Sequence, residues 1–137
     1  MAKAQNTLRK KDRLKSRKSI NALFEEGKTI KAFPLVLKYR VLEGNSYGLK
    51  AAFVVPKRQI RLAVTRNKVK RRIKEAYRTL NAELKTVLHQ NQSAIDLIII
   101  YRSSEVVDFK ALQEKIIVIL QRLTKELNSQ ELYEEKN

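Results

Sequence analysis

The amino-acid sequence predicts an α+β two-layer sandwich, and three patterns carry that prediction. A long cationic segment keeps Val69, Ile73, Ala76, Leu80, Leu84 and Val87 at helical spacing. Two earlier segments alternate apolar and polar residues with period two, as half-buried strands do. A later run, Ile95 to Tyr101, is apolar almost throughout, the mark of a strand covered on both faces, and a second amphipathic helical segment follows it. The order this implies is α-β-β-(β)-α-β-α around one small sheet, with the bracketed strand optional.

Each element has its own signals. Met1 to Lys18 carries eight Lys/Arg against Asp12, and residues 1–8 are expected to be a disordered basic arm. Ser19 to Glu26 reads as a short helix, capped by Ser16 or Ser19, with Ile20, Leu23 and Phe24 on one face and Gly27 as a left-handed stop. From Phe33 to Glu43, Leu35, Leu37, Tyr39 and Val41 should face the core, and Val36, Lys38 and Arg40 the other side. Gly44-Asn45-Ser46 reads as a hairpin turn into a returning strand, Tyr47 to Val55. There Ala51, Phe53 and Val55 form one set and Lys50, Ala52 and Val54 the other, and Pro56 ends the strand. Leu62 to Val64 has the character of a brief third strand.

Thr65 is the expected N-cap of the long helix, which then runs from near Arg66 to about Leu88. Polar residues His89 to Ala94 break it before the apolar strand. Val107 to Asn128 is the second amphipathic helix, with Phe109, Leu112, Ile116, Ile119, Leu120, Leu123 and Leu127 as its stripe. Residues 129–137 are an acidic end expected to fray. With no internal repeat, residues 1–128 form one domain.

Charge narrows the function. The chain has 137 residues and a net charge of +16. Residues 1–78 hold 23 of the 30 Lys/Arg and 5 of the 14 Asp/Glu, a net +18, whereas residues 79–137 sum to −2. A charge confined to one half of a domain is a footprint for phosphate, and nucleic acid is the expected partner over an anionic membrane. The sequence has no Cys, so a disulfide framework and a thiolate metal site are excluded. No apolar run is long enough to span a membrane, no secretory signal is read, and a cytoplasmic location is expected.

Enzymatic chemistry has no candidate residues. The single histidine, His89, lies in a polar helix end, and Asp96 and Asp108 are not paired with other carboxylates. There is no phosphate-binding glycine loop. Binding is better supplied. Arg61 to Arg78 holds eight Lys/Arg and one acid, Glu75. Arg66, Lys70 and Lys74 recur at i, i+4, i+8, flanked by Asn67, Arg71 and Arg78, with Arg61 just upstream. Such a face suits RNA phosphates, with Asn67 able to donate and accept at a sugar or base edge. No helix-turn-helix partner is present for a DNA reader, and a sheet face beside a basic helix suits single-stranded or folded RNA. A ribosomal or general RNA-binding protein fits these features too.

The segment Ala63 to Arg78 resembles the Arg-Asn-x-x-Lys-Arg signature of the bacterial ribonuclease P protein subunit, here Arg66-Asn67-Lys68-Val69-Lys70-Arg71. The likeness extends to the basic arm, to Ile20, Phe24 and Gly27, to Lys57-Arg58, and to Asp96 leading into Ile98, Ile99, Ile100 and Arg102. The resemblance implies a small mixed sheet with an unusual left-handed crossover, against the usual rule. It implies that a large RNA, using magnesium ions, cuts the 5′ leader from precursor tRNA, and that the protein supplies no catalytic residue and holds no cofactor. Arg66, Asn67, Lys70, Arg71 and Lys74 would meet the catalytic RNA. Ile20, Phe24, Val36, Lys38, Val54, Arg58 and Ile100 would line a leader cleft. Precursor tRNA is then the second partner, and no obligate protein partner is implied.

The chain departs from the family pattern before the signature. Ala52-Phe53-Val54-Val55-Pro56-Lys57-Arg58 stands where Gly-x-x-Val-Ser-Lys-Lys is usual, and Arg61 or Leu62 replaces a later Gly. Lys38 stands where an aromatic is common, so less stacking and more phosphate contact are expected there.

Overall fold

The computed structural model describes residues 12–42, 44 and 46–136, with side chains described through residue 128. The expected disordered arm, residues 1–8, lies outside the described residues, as does Asn45 of the expected turn. In chain order the elements are α1 (Arg17–Glu26), β1 (Lys28–Ala32), β2 (Leu35–Leu42), β3 (Gly48–Val54), α2 (Ala63–Leu80), α3 (Ala82–Asn91), β4 (Ala94–Tyr101) and α4 (Phe109–Lys136).

One mixed sheet has the order β1-β2-β4-β3. β4 runs antiparallel to β2 and parallel to β3, so the two strands expected to form a hairpin are not neighbours. The reason is the apolar character of β4. Ile95 to Tyr101 are all buried, and a strand this apolar belongs inside the sheet, with layers packed on both faces and its backbone bonded on both edges. β3 therefore lies on the far side of β4 from β2. The true hairpin joins β1 to β2 through Phe33 and Pro34. β1 has no counterpart among the expected strands, because Ile30 is its one fully buried side chain and edge strands carry little apolar signal.

Odd-numbered positions of β2, β3 and β4 face the layer of α2, α3 and α4. There Leu35, Leu37, Tyr39, Phe53, Ile95 and Leu97 pack with Val69, Ile73, Leu84, Leu88, Ile116 and Leu123. Val41, expected in this set, is 41% exposed at the end of β2. The other sheet face carries a second, smaller cluster. Leu23 of α1 and Leu14 pack on Ile98 and Ile100, with Ile20, Val36, Ala52 and Val54 around them. That face is thus capped at its centre and open at its margins. Leu14 is held by its N–H donating to Ala51 O at 2.9 Å.

Local chemistry sets the helix ends. Ser16 caps α1, its hydroxyl accepting from Ser19 N–H at 3.2 Å. Gly27 follows with extended backbone, φ −68, rather than the left-handed stop. Glycine is required there by crowding, since a Cβ would sit 2.3 Å from Leu23 O. α2 begins at Ala63, three residues before the expected start, with Leu62 at the N-cap and no side-chain cap bond. Leu62 and Val64 are not a strand; they are 71% and 80% exposed, and Val64 already lies within α2. The expected single long helix is two. Asn81, 5% exposed and hydrogen-bonded to Tyr77 through its side chain, interrupts it while the apolar stripe continues through Leu84 and Val87. The backbone of α4 stays helical to Lys136, beyond the expected end at Asn128.

Leu23, fully buried, pins α1 to the sheet. Leu23→Ala should cost about 3 kcal/mol of stability in urea unfolding. A loss under about 1 kcal/mol would show that α1 is held by other contacts.

Candidate nucleic-acid interface

Two surfaces emerge, one on α2 and one on the capped sheet face. On α2, Val64, Asn67, Lys70, Arg71 and Lys74 line a shallow concavity of about 520 Å³. These residues sit off the buried stripe of Val69, Ile73, Ala76 and Tyr77. The cations of this segment divide by their partners. Arg66 donates from Nη1 to Ile60 O at 3.1 Å and Arg61 O at 2.7 Å, so it fastens the linker over the helix start. Arg72 donates to Val107 O at 3.3 Å and ties α2 to the approach to α4. Arg78 pairs with Glu75, Nη2 to Oε1 at 2.5 Å and Nε to Oε2 at 3.2 Å. That leaves Asn67, Lys70, Arg71 and Lys74 as the open group at the concavity, with Arg61 and Lys68 also exposed.

Arg13 joins this group from the other end of the chain. The Lys74 amine is held below its ordinary value by burial, then by the positive charges of Lys70 and Arg13. Arg13 is brought there by the docking of Leu14 on β3, where Arg13 bridges to Ala51. Its signal in the sequence is the cationic run before α1, but nothing local says where that run lies.

The sheet register assembles the second surface. Lys31, Val36, Ile100 and Val54 form one row across β1, β2, β4 and β3, and Thr29, Lys38, Ile98 and Ala52 the next. α1 lies over the middle. Phe24 is 48% exposed at its edge. Lys38 Nζ sits 5.9 Å from the Phe24 ring centre and donates to Thr29 Oγ1 at 3.2 Å. Ile20, Val36 and Val54 are half-buried, and Arg58 is exposed on the linker after β3. Ile100 is 3% exposed and lies beneath α1, so it is the floor of this cleft rather than an open wall. Lys31 belongs to the same face and is absent from the expected residues, because β1 leaves no alternating pattern in the sequence.

The third row is ionic. Arg40, Asp96 and Lys50 stand side by side on β2, β4 and β3. Asp96 is 3% exposed, with Arg40 Nη2 3.7 Å from its Oδ2. Burial pushes the Asp96 carboxyl above the usual carboxylate range, against the opposing pull of Arg40 and Lys50. Arg40 Nε is buried without a hydrogen-bond partner among the described residues.

The family model for ribonuclease P matches residues 8–124. The chain belongs to the ribonuclease P protein family. It is 36% identical over 117 residues to the ribonuclease P protein component of Porphyromonas gingivalis, covering 82% of this chain and 85% of that one. The component from Chlorobium phaeobacteroides is 34% identical over 91 residues, 64% of this chain and 62% of that one. The RNase P protein from Thermotoga maritima superimposes with a TM-score of 0.62 at 30% identity, over 80% of this chain and 96% of that one. The Staphylococcus aureus RNase P protein gives 0.66 at 19% identity, over 82% and 94%, and shares the fold. As a ribonuclease P protein, the chain is an RNA-binding component of the ribonucleoprotein endoribonuclease that processes tRNA.

A carboxyl raised in the folded state binds its proton more tightly there than in the unfolded chain. Stability should therefore fall as pH rises from the ordinary carboxylate range through the Asp96 pKa, with the whole cost present above it. Asp96→Asn is expected to flatten the stability profile between about pH 3 and 7. Urea titrations across that range check this, and an unchanged slope would assign the effect to other groups.

Proposed function

We propose that α2 binds the catalytic RNA of ribonuclease P, and that the cleft between α1 and the sheet margin holds the 5′ leader of precursor tRNA. The observation that carries this is the sorting of cations on α2. Arg66, Arg72 and Arg78 are engaged within the protein, while Asn67, Lys70, Arg71 and Lys74 share one concavity. The single acid of the segment, Glu75, is already taken by Arg78. Like charges so placed repel one another, and the penalty is relieved when phosphates arrive and counterions leave.

In this reading the protein positions and the RNA cuts. Magnesium serves the RNA; among the described residues no three of His, Asp and Glu gather where a metal ion would sit. The cleft offers Phe24 and Lys38 side by side, a ring for a base and an ammonium for a phosphate. Arg58 extends the charge along the linker. Holding the leader raises affinity for precursor over mature tRNA, because mature tRNA has nothing to place there.

The direct test is reconstitution. The purified chain should not cleave precursor tRNA, and adding the cognate RNA should permit cleavage at low magnesium. Cleavage by RNA-free protein, or recovery of ribosomal RNA as its main crosslinked partner, would overturn the reading.

Lys70→Ala with Arg71→Ala should weaken assembly with the RNA and leave the fold intact, since neither side chain belongs to the buried stripe. Losing two phosphate contacts should flatten the salt slope of binding by about 1.5. A slope equal to that of the unaltered protein would remove these residues from the interface. Lys38→Ala should lower the assembled enzyme's affinity for precursor tRNA about fivefold and leave mature tRNA unaffected. Equal losses for the two would place Lys38 outside the leader path.

A further inference from the structure

The edge of the sheet farthest from α2 carries a second cationic site that the ribonuclease P reading does not use. A cavity of about 510 Å³ opens between β1 and the C-terminal half of α4, lined among others by Lys28, Ile30, Tyr39, Arg122, Lys125 and Glu126. Tyr39 is buried along most of its length and lines this cavity.

The lining has the donors of an anion site. Arg122 donates from Nη1 to Lys31 O at 2.8 Å, which fixes its guanidinium at the cavity and leaves other N–H donors of the fork for a ligand. Lys125 lies one helical turn from Gln121 on the exposed side of α4, and neither Arg122 nor Lys125 is ion-paired among the described residues. One carboxylate, Glu126, shares the lining. Burial, and then the charge of Glu126, pushes the Tyr39 hydroxyl up to about 12, so it remains a protonated donor at neutral pH. A fixed guanidinium, an ammonium and a hydroxyl donor around one cavity match the oxygens of a phosphate.

We propose that this cavity binds a phosphate group, at the sheet edge opposite α2. β1 and β3 are three strand spacings apart, on the order of 14 Å, so one folded RNA can reach both α2 and this cavity. The anion class stands on the cavity alone. The backbone of the holoenzyme's RNA as its source rests on the RNA-binding role of the family, and a free phosphate-bearing metabolite is the other source of the same chemistry.

The experiment has two arms. First, the isotope-labelled full-length protein is titrated with inorganic phosphate at constant ionic strength set with chloride. Saturable shifts are expected at Tyr39, Lys125 and the Arg122 side-chain N–H. Lys125→Gln and Tyr39→Phe should each weaken them about threefold while the rest of the spectrum is preserved. The Tyr39→Phe change removes one oxygen and keeps the core packing, so a loss of shifts there reports the donor. Shifts that do not saturate, or that are equal in all three proteins, would overturn the proposal. Second, the same variants are assembled with the catalytic RNA. A drop in RNA affinity with α2 intact identifies RNA phosphate as the occupant, and an unchanged affinity identifies a free phosphate-bearing molecule. Because the first arm contains no RNA, its outcome is independent of whether the chain serves ribonuclease P as proposed.

Discussion

A strand bonded on both edges and covered on both faces can carry a charge only where a partner meets it, and β4, with Asp96 set against Arg40, is that strand here. Ile95 to Tyr101 are buried throughout, odd residues against α2, α3 and α4, and Ile98 and Ile100 under α1. Its parallel pairing with β3 forbids a tight turn between the two and requires a crossover. α2 and α3 are that crossover. The cationic helix is therefore tied to the sheet at both ends, entering from β3 through Pro56 to Leu62 and returning into β4. Burying β4 thus supplies a rigid platform for a surface that would repel itself in isolation.

The cost of that repulsion is visible in Lys74, whose amine is depressed by burial and by Lys70 and Arg13. The helix tolerates it because Val69, Ile73, Ala76 and Tyr77 are anchored in the core, and tertiary packing of one face outweighs a few tenths of a kcal/mol per like pair on the other. Not every cation contributes to the repulsion. Arg66 is absorbed by two carbonyls, Arg72 by a third and Arg78 by Glu75. The residue type alone does not reveal this sorting. It depends on which carbonyls the fold brings within reach of each guanidinium.

Features governed by short-range geometry are legible in the sequence, and features governed by long-range pairing are not. The two faces of β2 and β3 follow from period two alone, which puts Lys38 and Val54 together on the face away from the main core. Helical spacing likewise puts Asn67, Lys70, Arg71 and Lys74 off the apolar stripe, but it groups Arg66 and Arg78 with them, and the fold engages those two within the protein. β1 is invisible because an edge strand with Ile30 as its one buried residue shows no alternation against Lys28, Thr29 and Lys31. The break at Asn81 is hidden because the apolar stripe passes through it unchanged. The insertion of β4 between β2 and β3, and the arrival of Arg13 beside Lys74, are contacts between distant segments that no window of sequence contains. The charge tally misleads in one respect. Residues 79–137 sum to −2, but α4 gathers Arg122 and Lys125 on one side of itself, and a net count over a segment erases such a cluster.

β2 shows how one strand can serve two chemistries. Lys38 points to the cleft, where it meets Thr29 and the Phe24 ring, while its neighbour Tyr39 points through the core to the opposite cavity. The family resemblance implies reduced stacking at position 38, and the geometry restores part of it. Phe24 keeps about half of its surface exposed beside the Lys38 ammonium. A single strand of RNA presents bases and phosphates in turn, and sequence-tolerant binding needs a surface for each. The cleft supplies the aromatic from α1 and the cation from β2. In the leader cleft proposed above, lysine on the strand leaves the stacking surface to Phe24 of α1, and ring and charge stay paired.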